Sequence, residues 1–200
     1  LYERVRTAFS AVQDLIETTD VTALCEAIVK VALPLVNADT CAVMLFNDQN
    51  ELVPWACQAP AQHDIRLSRT LVEQVIQQKA GVLASDALTD QRFSSAESVV
   101  LSGIRSFLCV PLTASNRIYG ILYVANSSKV AAFSQTDLEL ITGIGTGAGV
   151  ALANAFLAHQ LSEEARTRES LGRFLSPVLV EQVMQHRLDI SRGGEEREVT

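Results

Sequence analysis

The sequence lacks any apolar run of the roughly 18 residues that a membrane-spanning helix needs, and no basic-then-apolar leader stands at its start. Leu1, in place of an initiator Met, indicates a piece excised from a longer protein, so the missing leader does not describe the parent. Basic residues are also few, at 16 against 23 acidic ones, for a net charge of −7. With no basic stripe to neutralise phosphates, nucleic acid is a disfavoured partner. We predict a cytoplasmic chain with no membrane contact within these residues.

Cysteine and histidine are scarce and poorly spaced for metal binding. The four cysteines form no CxxC and no Cys/His ligand pattern, so we predict no metal site. Reduced thiols are the default in the cytosol. The three histidines fall in a predicted loop, a long helix and the tail, and those residues are His63, His159 and His186.

Apolar residues make up 48% of the chain, and one stretch of them is unusually rich in glycine, "ITGIGTGAGVALANAFLAHQL". Gly143, Gly145 and Ala148 match the letters of a dinucleotide-binding loop, which needs a strand before it and a helix after it. Here Ser134 and Asp137 instead have the spacing of a capping box, so the helix begins about two turns earlier. The three- and four-residue apolar spacing continues through the glycines. We predict a helix whose glycines permit close approach to a sheet or another helix.

The first segment carries a narrow apolar stripe with heptad-like spacing, Val5, Phe9, Val12 and Ile16, which predicts a helix that pairs with another helix. Asp20 is a predicted N-cap for a second, more broadly apolar helix. Two strand-like runs around "NDQN" then predict a β-hairpin, and "RLSRTLVEQVIQQKAG" predicts a helix capped at Gly81. "GVLAS" predicts a short strand, and a polar loop with a short helix near residues 99–101 follows. "IRSFLCVPLTASNRIYGILYVANSS" predicts two more strands, with Pro111 at a strand end or edge.

This order of elements predicts an α+β domain with an antiparallel sheet and helices packed on it. From about Val21 to Leu157 the chain resembles a GAF domain, a sensory module related to PAS domains. The resemblance lies in "CVPL", in "RIYGILYVANSS" and in "AFSQTDLELI" followed by a small-residue helix. We predict an N-terminal dimerisation helix at 1–19, the GAF domain at 20–157, a signalling helix at 158–175 and a transducer segment at 176–200.

The tail, "LGRFLSPVLVEQVMQH" and "GGEEREVT", is similar to the segment before the catalytic core of bacterial class III adenylate or guanylate cyclases. This resemblance implies a cyclase domain after Thr200 that would use ATP with Mg or Mn. The chain itself contains no counterpart of the family's catalytic residues, so no catalytic residue or cofactor is predicted within it. A different output domain, such as a kinase or phosphatase, is the alternative.

GAF domains that bind cyclic nucleotides carry a signature of Asn-Lys, Phe and Asp-Glu. Asn126, Phe133 and Asp137 match it, whereas Ser127 stands in place of Lys and Leu138 in place of Glu. In the family the Lys and Asp brace the pocket without touching ligand. The resemblance therefore keeps cAMP or cGMP open as a regulatory ligand, beside a ligand-free dimerising spacer.

Any ligand is expected on the sheet face under the polar loop "SDALTDQRFSSAES", because binding groups concentrate on loops above a rigid sheet. The alternative is that Arg92 and Asp90 are surface charges and that the serines cap the following helix. The family also includes haem and bilin binders. No Cys-His pair is placed to hold a bilin, so we predict none. We interpret His63 as a solvated loop residue, with a haem ligand as the alternative. The candidate binding residues are Asp86, Arg92, Ser94, Ser95 and Arg105.

If the first hairpin turns about Gln49, Cys41 and Cys57 lie directly opposite each other and form a possible redox pair, with buried core thiols as the alternative. Some GAF proteins reduce oxidised methionine through cysteines. That reaction would need thiols in a mobile loop, whereas these fall in predicted strands and a helix.

After Val150 the last helix continues with rough heptad spacing that includes Leu157 and Leu161. We predict a parallel homodimer in which this helix and the N-terminal helix form a four-helix bundle that passes a signal to the output domain. The residues predicted to pack in that bundle or against the sheet include Gly143, Gly145, Gly147 and Gly149.

Overall fold

The computed structural model describes residues 2–60, 67–92 and 104–172 of the chain. The short helix predicted near residues 99–101 lies outside this part. The elements are α1 (Tyr2–Ile16), α2 (Val21–Leu35), β1 (Thr40–Phe46), β2 (Leu52–Gln58), α3 (Arg69–Gln78), β3 (Val82–Ala84), β4 (Ser106–Ala114), β5 (Arg117–Asn126) and α4 (Gln135–Gly172).

The described strands form one antiparallel sheet of five strands in the order β2, β1, β5, β4, β3. The two hairpins predicted from the sequence are β1–β2 and β4–β5, and the β1–β5 pairing joins them side by side. The predicted α+β fold with an antiparallel sheet and flanking helices is therefore confirmed.

Each face of the sheet carries its own apolar cluster, because the central strands alternate between the two faces. On β5, Leu122 and Val124 point to the cluster that contains α1, α2 and α4. Ile121 and Tyr123 point to the cluster that contains α3. We call these the helix-layer face and the α3 face. The central strands are buried on both sides, as in a three-layer arrangement.

Local signals fix where the helices begin. Asp20 Oδ1 accepts from Ala23 N at 2.7 Å, as predicted for an N-cap, and Ser68 Oγ accepts from Leu71 N at 3.1 Å at the start of α3. The predicted C-cap at Gly81 is wrong. Lys79 ends α3 in the left-handed conformation, with φ 48°. A Cβ at Gly81 would lie 2.8 Å from Leu138 Cδ1, so this glycine makes room for α4.

Pro111 lies within β4, not at its end as one alternative had it. It pairs with Ile121 of β5 on one side. On the other side β3 reaches only Phe107 to Cys109. At Pro111 the strand is therefore a local edge, where a missing N–H breaks no ladder.

The four glycines of α4 between residues 143 and 149 lie inside the helix, and three of these four make close approaches within this chain. A Cβ at Gly145 would lie 3.1 Å from the Pro111 carbonyl oxygen, and one at Gly149 would overlap the backbone of Thr113. A Cβ at Gly147 would overlap Val12 of α1. At Gly143 nothing lies within 4 Å. The dinucleotide-loop alternative is therefore wrong, since a helix runs through all four positions.

The chain divides into two compact units, residues up to Phe156 and residues from Leu157 onward. The first unit contains the sheet and the packed helices. The described part of the second unit is the end of α4, whose side chains from Leu157 to Ser170 are exposed.

By length and composition α4 could cross a membrane, since Gln135–Ser170 has a mean hydropathy of 1.6 in its most apolar window. However, 56% of that window is buried inside the fold. Ile141, Ile144 and Ala148 are fully buried against the sheet, so core packing accounts for the apolarity. Glycine and threonine interrupt its apolar residues, so a test for uninterrupted apolar runs does not identify this predicted helix as a candidate span.

Candidate functional site

Two of the predicted binding residues meet at the α3 face. Asp86 follows β3 and Arg105 precedes β4, and their neighbours Ala87 and Ile104 are buried in the α3-face cluster. Arg105 Nη2 donates to Asp86 Oδ2 at 3.2 Å, and Ala87 N donates to Arg105 O at 2.8 Å. The structure therefore joins Asp86 and Arg105 as an ion pair at the rim of the sheet.

This ion pair leaves hydrogen-bonding capacity on the arginine. The hydrogen bond from Arg105 lowers the pKa of Asp86 below its ordinary value, while desolvation opposes the shift. Arg105 Nε is buried and has no partner among the described residues. A guanidinium carries five donors, so Arg105 can hold Asp86 and still donate to a second anionic or carbonyl group.

Arg92 does not join this pair. It holds both carboxylate oxygens of Asp90, with Nη2 at 2.6 Å from Oδ2 and Nε at 3.0 Å from Oδ1. Its Nη2 also donates to the carbonyl of Leu83 at 2.9 Å. The same contact to Asp90 raises the pKa of Arg92. The interpretation of Arg92 and Asp90 as a local charge pair is thus the better one for these two residues. Ser94 and Ser95 lie outside the described residues.

Sequence reasoning missed the apolar floor beneath this rim. Phe107 and Tyr123 lie on adjacent strands with ring centroids 5.7 Å apart, and both are buried on the α3 face beside Cys109. Burial raises the pKa of Tyr123 and of Cys109, so both groups are neutral. The strand periodicity of β4 and β5 predicts that these side chains are buried, but it does not distinguish this face from the other. Phe107 is 1% and Tyr123 is 5% exposed, so both rings are part of the packed core of the α3 face.

The three residues that match the cyclic-nucleotide signature shape the connection between β5 and α4. Asn126 Oδ1 accepts from Lys129 N at 2.8 Å, and Phe133 is buried in the helix-layer face. Asp137 Oδ2 accepts from Ser134 N and Oγ at 2.8 and 2.7 Å, which is the predicted capping box. Ser127, in place of the signature Lys, donates to Asp39 Oδ2. These contacts are structural and lie within the chain itself.

The ion-pair partner of Asp137 is an arginine from a distant part of the chain. Arg4 of α1 forms an ion pair with Asp137 Oδ1. Burial raises the pKa of Asp137, but the hydrogen bonds from Arg4 and Ser134 outweigh it, so the pKa lies below its ordinary value. No local pattern in the sequence pairs these two residues, because they are 133 positions apart.

The cysteines were placed one position out of register. A bulge between Val43 and Met44 sets Cys57 opposite Ala42, so the prediction that Cys41 lies directly opposite Cys57 is wrong. Cys41 is buried, whereas Cys57 is exposed on the edge strand. Burial raises the pKa of Cys41 to about 12 and also raises that of Cys57. All four cysteines are free and lie in α2, β1, β2 and β4.

Among the described residues, no group of three or more His, Cys, Asp or Glu side chains could hold a metal ion. A groove of about 720 Å³ lies between α1 and α2, away from Asp86 and Arg105. Its floor is apolar, with Leu15 and Val31, and its rim is mixed in charge, with Arg6, Asp14 and Lys30. It therefore has no strong preference for a ligand of either sign.

A sheet with a helical layer on one face and a rimmed aromatic floor on the other defines a small sensory module of the signalling type. The chain belongs to the GAF domain family, whose model matches residues 20–152.

Solved structures share this fold. The GAF domain from an Acinetobacter phosphoenolpyruvate-protein phosphotransferase superposes with a TM-score of 0.62 at 21% identity, covering 78% of this chain and 95% of that one. The free methionine-R-sulfoxide reductase from Neisseria meningitidis, in complex with its substrate, gives a TM-score of 0.63 at 19% identity, covering 76% and 89%.

A curated relative is the dual 3',5'-cyclic-AMP and -GMP phosphodiesterase 11A of Takifugu rubripes. It is 27% identical over 187 residues, which cover 81% of this chain. The chain spans only 21% of that relative's length.

Proposed function

We propose that this chain is the regulatory GAF module of a dimeric signalling enzyme whose output is a C-terminal class III adenylate cyclase domain, which converts ATP to cAMP. The observation that carries the proposal is a set of exposed large apolar side chains on the two terminal helices. Phe9 of α1 is 65% exposed and Leu161 of α4 is 57% exposed. The proposed limits remain 1–19, 20–157, 158–175 and 176–200 for the four segments.

The exposed apolar residues favour a partner on these helices. Exposed apolar stripes of this kind mark interaction surfaces. In a parallel two-fold dimer, the stripe of each copy would be covered by the same stripe of the other copy. Val12 differs from the rest of the predicted α1 stripe because it packs on Gly147. The exposed apolar residues on the two helices are Tyr2, Val5, Phe9, Ile16, Val150, Phe156, Leu157 and Leu161.

Support for the cyclase output comes from the resemblance of residues 176–200, which lie outside the described residues. Class III active sites form between two catalytic domains, so a dimeric module can control them by changing how its helices are arranged. The catalytic domain would bring ATP with Mg or Mn, and the present chain would supply regulation. A cytoplasmic location is part of this proposal.

The dimer is tested by sedimentation equilibrium. Phe9→Glu and Leu161→Glu place a charge in the proposed interface and should convert dimer to monomer without lowering the melting temperature of the domain. Leu88→Glu is the matched control, since Leu88 is an exposed apolar residue outside both helices. A wild-type chain that sediments as a monomer would overturn the proposal.

The output is tested on the full polypeptide that contains this chain. It should convert ATP to cAMP with Mg or Mn, and Phe9→Glu should lower that activity while Leu88→Glu leaves it unchanged. A polypeptide with kinase or phosphatase activity in place of cyclase activity would remove the cyclase part and keep the sensory part.

A second candidate function is binding of cAMP or cGMP at the α3 face. Arg105 Nε is buried without a partner among the described residues and could donate to the single negative phosphate, while the buried rings of Phe107 and Tyr123 would contact a base once the α3 face opened to admit it. The name of the Takifugu rubripes relative connects a similar chain with cyclic nucleotides. Against a thiol-based reductase, burial raises the pKa of Cys25 and of Cys41 to about 12, which keeps both thiols protonated.

The binding test is the melting temperature with and without millimolar cAMP and cGMP, because a ligand that binds only the folded state raises it. Arg105→Met should abolish the shift. No shift with either nucleotide in the wild type would favour a ligand-free spacer.

A further inference from the structure

One arginine on α1 reaches the ends of two other helices. Arg4 Nε donates to the carbonyl oxygen of Leu35 at 3.0 Å, and Arg4 Nη2 pairs with Asp137 Oδ1. Leu35 is the last residue of α2, where unpaired carbonyls carry partial negative charge. Asp137 lies in the first turn of α4. Arg4 therefore fastens α1 to the C-terminus of α2 and to the N-terminus of α4 at once.

The carboxylate of Asp137 serves two purposes with its two oxygens. Oδ2 accepts from Ser134 and caps α4, whereas Oδ1 receives Arg4. The side chain of Asp137 is only 11% exposed and that of Arg4 is 39% exposed. The start of α4 and the docking of α1 consequently depend on the same group.

A second contact joins the two helices further along. The side chain of Val12 sits where a Cβ at position 147 would be, so α1 lies directly on the backbone of α4. Arg4 and Val12 are about 12 Å apart along α1, and Asp137 and Gly147 about 15 Å apart along α4, at 1.5 Å per residue. Both pairs ascend in the same order, so the two helices run parallel within the first unit.

We propose that α1 and α4 form a register-locked parallel pair, held by Arg4 on Asp137 and by Val12 on Gly147, which carries a displacement of α1 to α4 without passing through the α3 face. A slide of α1 toward the C-terminus of α4 drives Val12 toward Ala151, which has a Cβ, whereas a slide toward the N-terminus brings Val12 to Gly143. A slide in either direction pulls Arg4 from Asp137, and toward the N-terminus this ion pair alone resists it. The side chains of α3 that are buried, Leu71 and Val75, belong to the other cluster. The domain thus has an input at its N-terminal helix that is separate from its candidate ligand site.

The ion pair is tested by hydrogen exchange on the complete chain. Arg4→Met should raise exchange several-fold in the first turns of α4, although Arg4 lies on α1. Asp137→Asn retains an oxygen for the cap and removes the charge, and it should raise exchange in α1. The double variant should exchange no faster than the faster single variant, because both remove one interaction. Arg6→Met is the matched control, since Arg6 pairs with Glu3 on the exposed side of α1.

The contact between Val12 and Gly147 is tested by enlarging the residue at position 147 and shortening the residue at position 12. Gly147→Ala should raise exchange in both α1 and α4, and adding Val12→Ala should restore most of the protection, because it removes the atoms that the new Cβ meets. The proposal is overturned if each substitution affects only its own helix, if Val12→Ala gives no rescue, or if α3 and β3 exchange faster to the same extent as α1 and α4.

Discussion

The two faces of the sheet are built differently. The helix-layer face is covered by three helices, and its contacts with α4 are close: a Cβ would be tightly packed at Gly145 and would overlap backbone at Gly149. The α3 face has a smaller described cluster with an aromatic floor and an ion pair at its rim. Close packing resists adjustment, whereas a rim of polar groups over a floor can exchange partners. The helix-layer face is therefore the more closely packed of the two, and the Asp86–Arg105 ion pair lies at the rim of the other.

The largest expected effect comes from truncating neighbouring residues that point to opposite faces. Leu122→Ala and Ile121→Ala each remove a fully buried side chain, so each should lower the free energy of unfolding by about 2–5 kcal/mol. Hydrogen exchange should then separate them: Leu122→Ala loosens α4, and Ile121→Ala loosens α3. Equal loosening of both helices by either variant would show that the faces are not independent.

Replacing either of two glycines of α4 with alanine should change the free energy of unfolding, but in opposite directions. Gly149→Ala forces a Cβ into the backbone of Thr113 and should cost about 1–3 kcal/mol. Gly143→Ala meets nothing within 4 Å and should stabilise the helix by about 0.5–1 kcal/mol. Chemical denaturation of both variants measures this. A loss of stability at Gly143→Ala would mean that a partner approaches that position in solution.

A smaller effect is expected from acid. The pKa of Asp137 is lower in the folded chain than in an unfolded one, so its contacts stabilise the fold fully above about pH 4 and are lost as the pH falls through the folded-state value. The contribution should be about 1 kcal/mol, since Arg4 is partly exposed. Denaturation series from pH 7 to pH 2 should show a weaker decline in Arg4→Met than in the wild type. If the stability of both proteins fell equally with pH, Arg4 would not contribute to the acid dependence.

The smallest expected effect is a difference in how fast the individual cysteines react with a thiol reagent. Cys57 is exposed and should react slowly with a thiol reagent at neutral pH, since its pKa is raised. Cys41 and Cys109 should react only on unfolding, because both are buried. Mass spectrometry of the labelled chain counts the modified residues. Fast labelling of Cys109 in the native chain would show that the α3 face opens.

Local signals in the sequence were enough for the strands, the hairpins and the predicted N-caps, but not for the C-cap of α3, which is Lys79 instead of Gly81. Asp20 and Ser134 act as predicted because a cap involves residues only three apart. The bulge that displaces Cys57 could not be seen, since it depends on how β1 and β2 twist together. The ion pair between Arg4 and Asp137 joins residues that only the folded chain brings together.

The binding role of the candidate residues stays a prediction, and the structure brings only some of them together. Arg92 pairs with Asp90 of its own loop and donates to the Leu83 carbonyl of β3. The floor residues Phe107 and Tyr123 look like ordinary core because periodicity shows which side chains are buried, not which face will hold a ligand.

The attachment of α1 also bears on where the domain should be cut for expression. The family match starts at residue 20, yet Arg4 and Val12 lie before it and contact α4. A fragment that begins at Asp20 would expose the buried surface under Leu15 to water and leave the Asp137 carboxylate without its cation. The family match therefore leaves out a helix that packs on α4, and we expect a fragment trimmed to residues 20–152 to be less stable than one that retains α1.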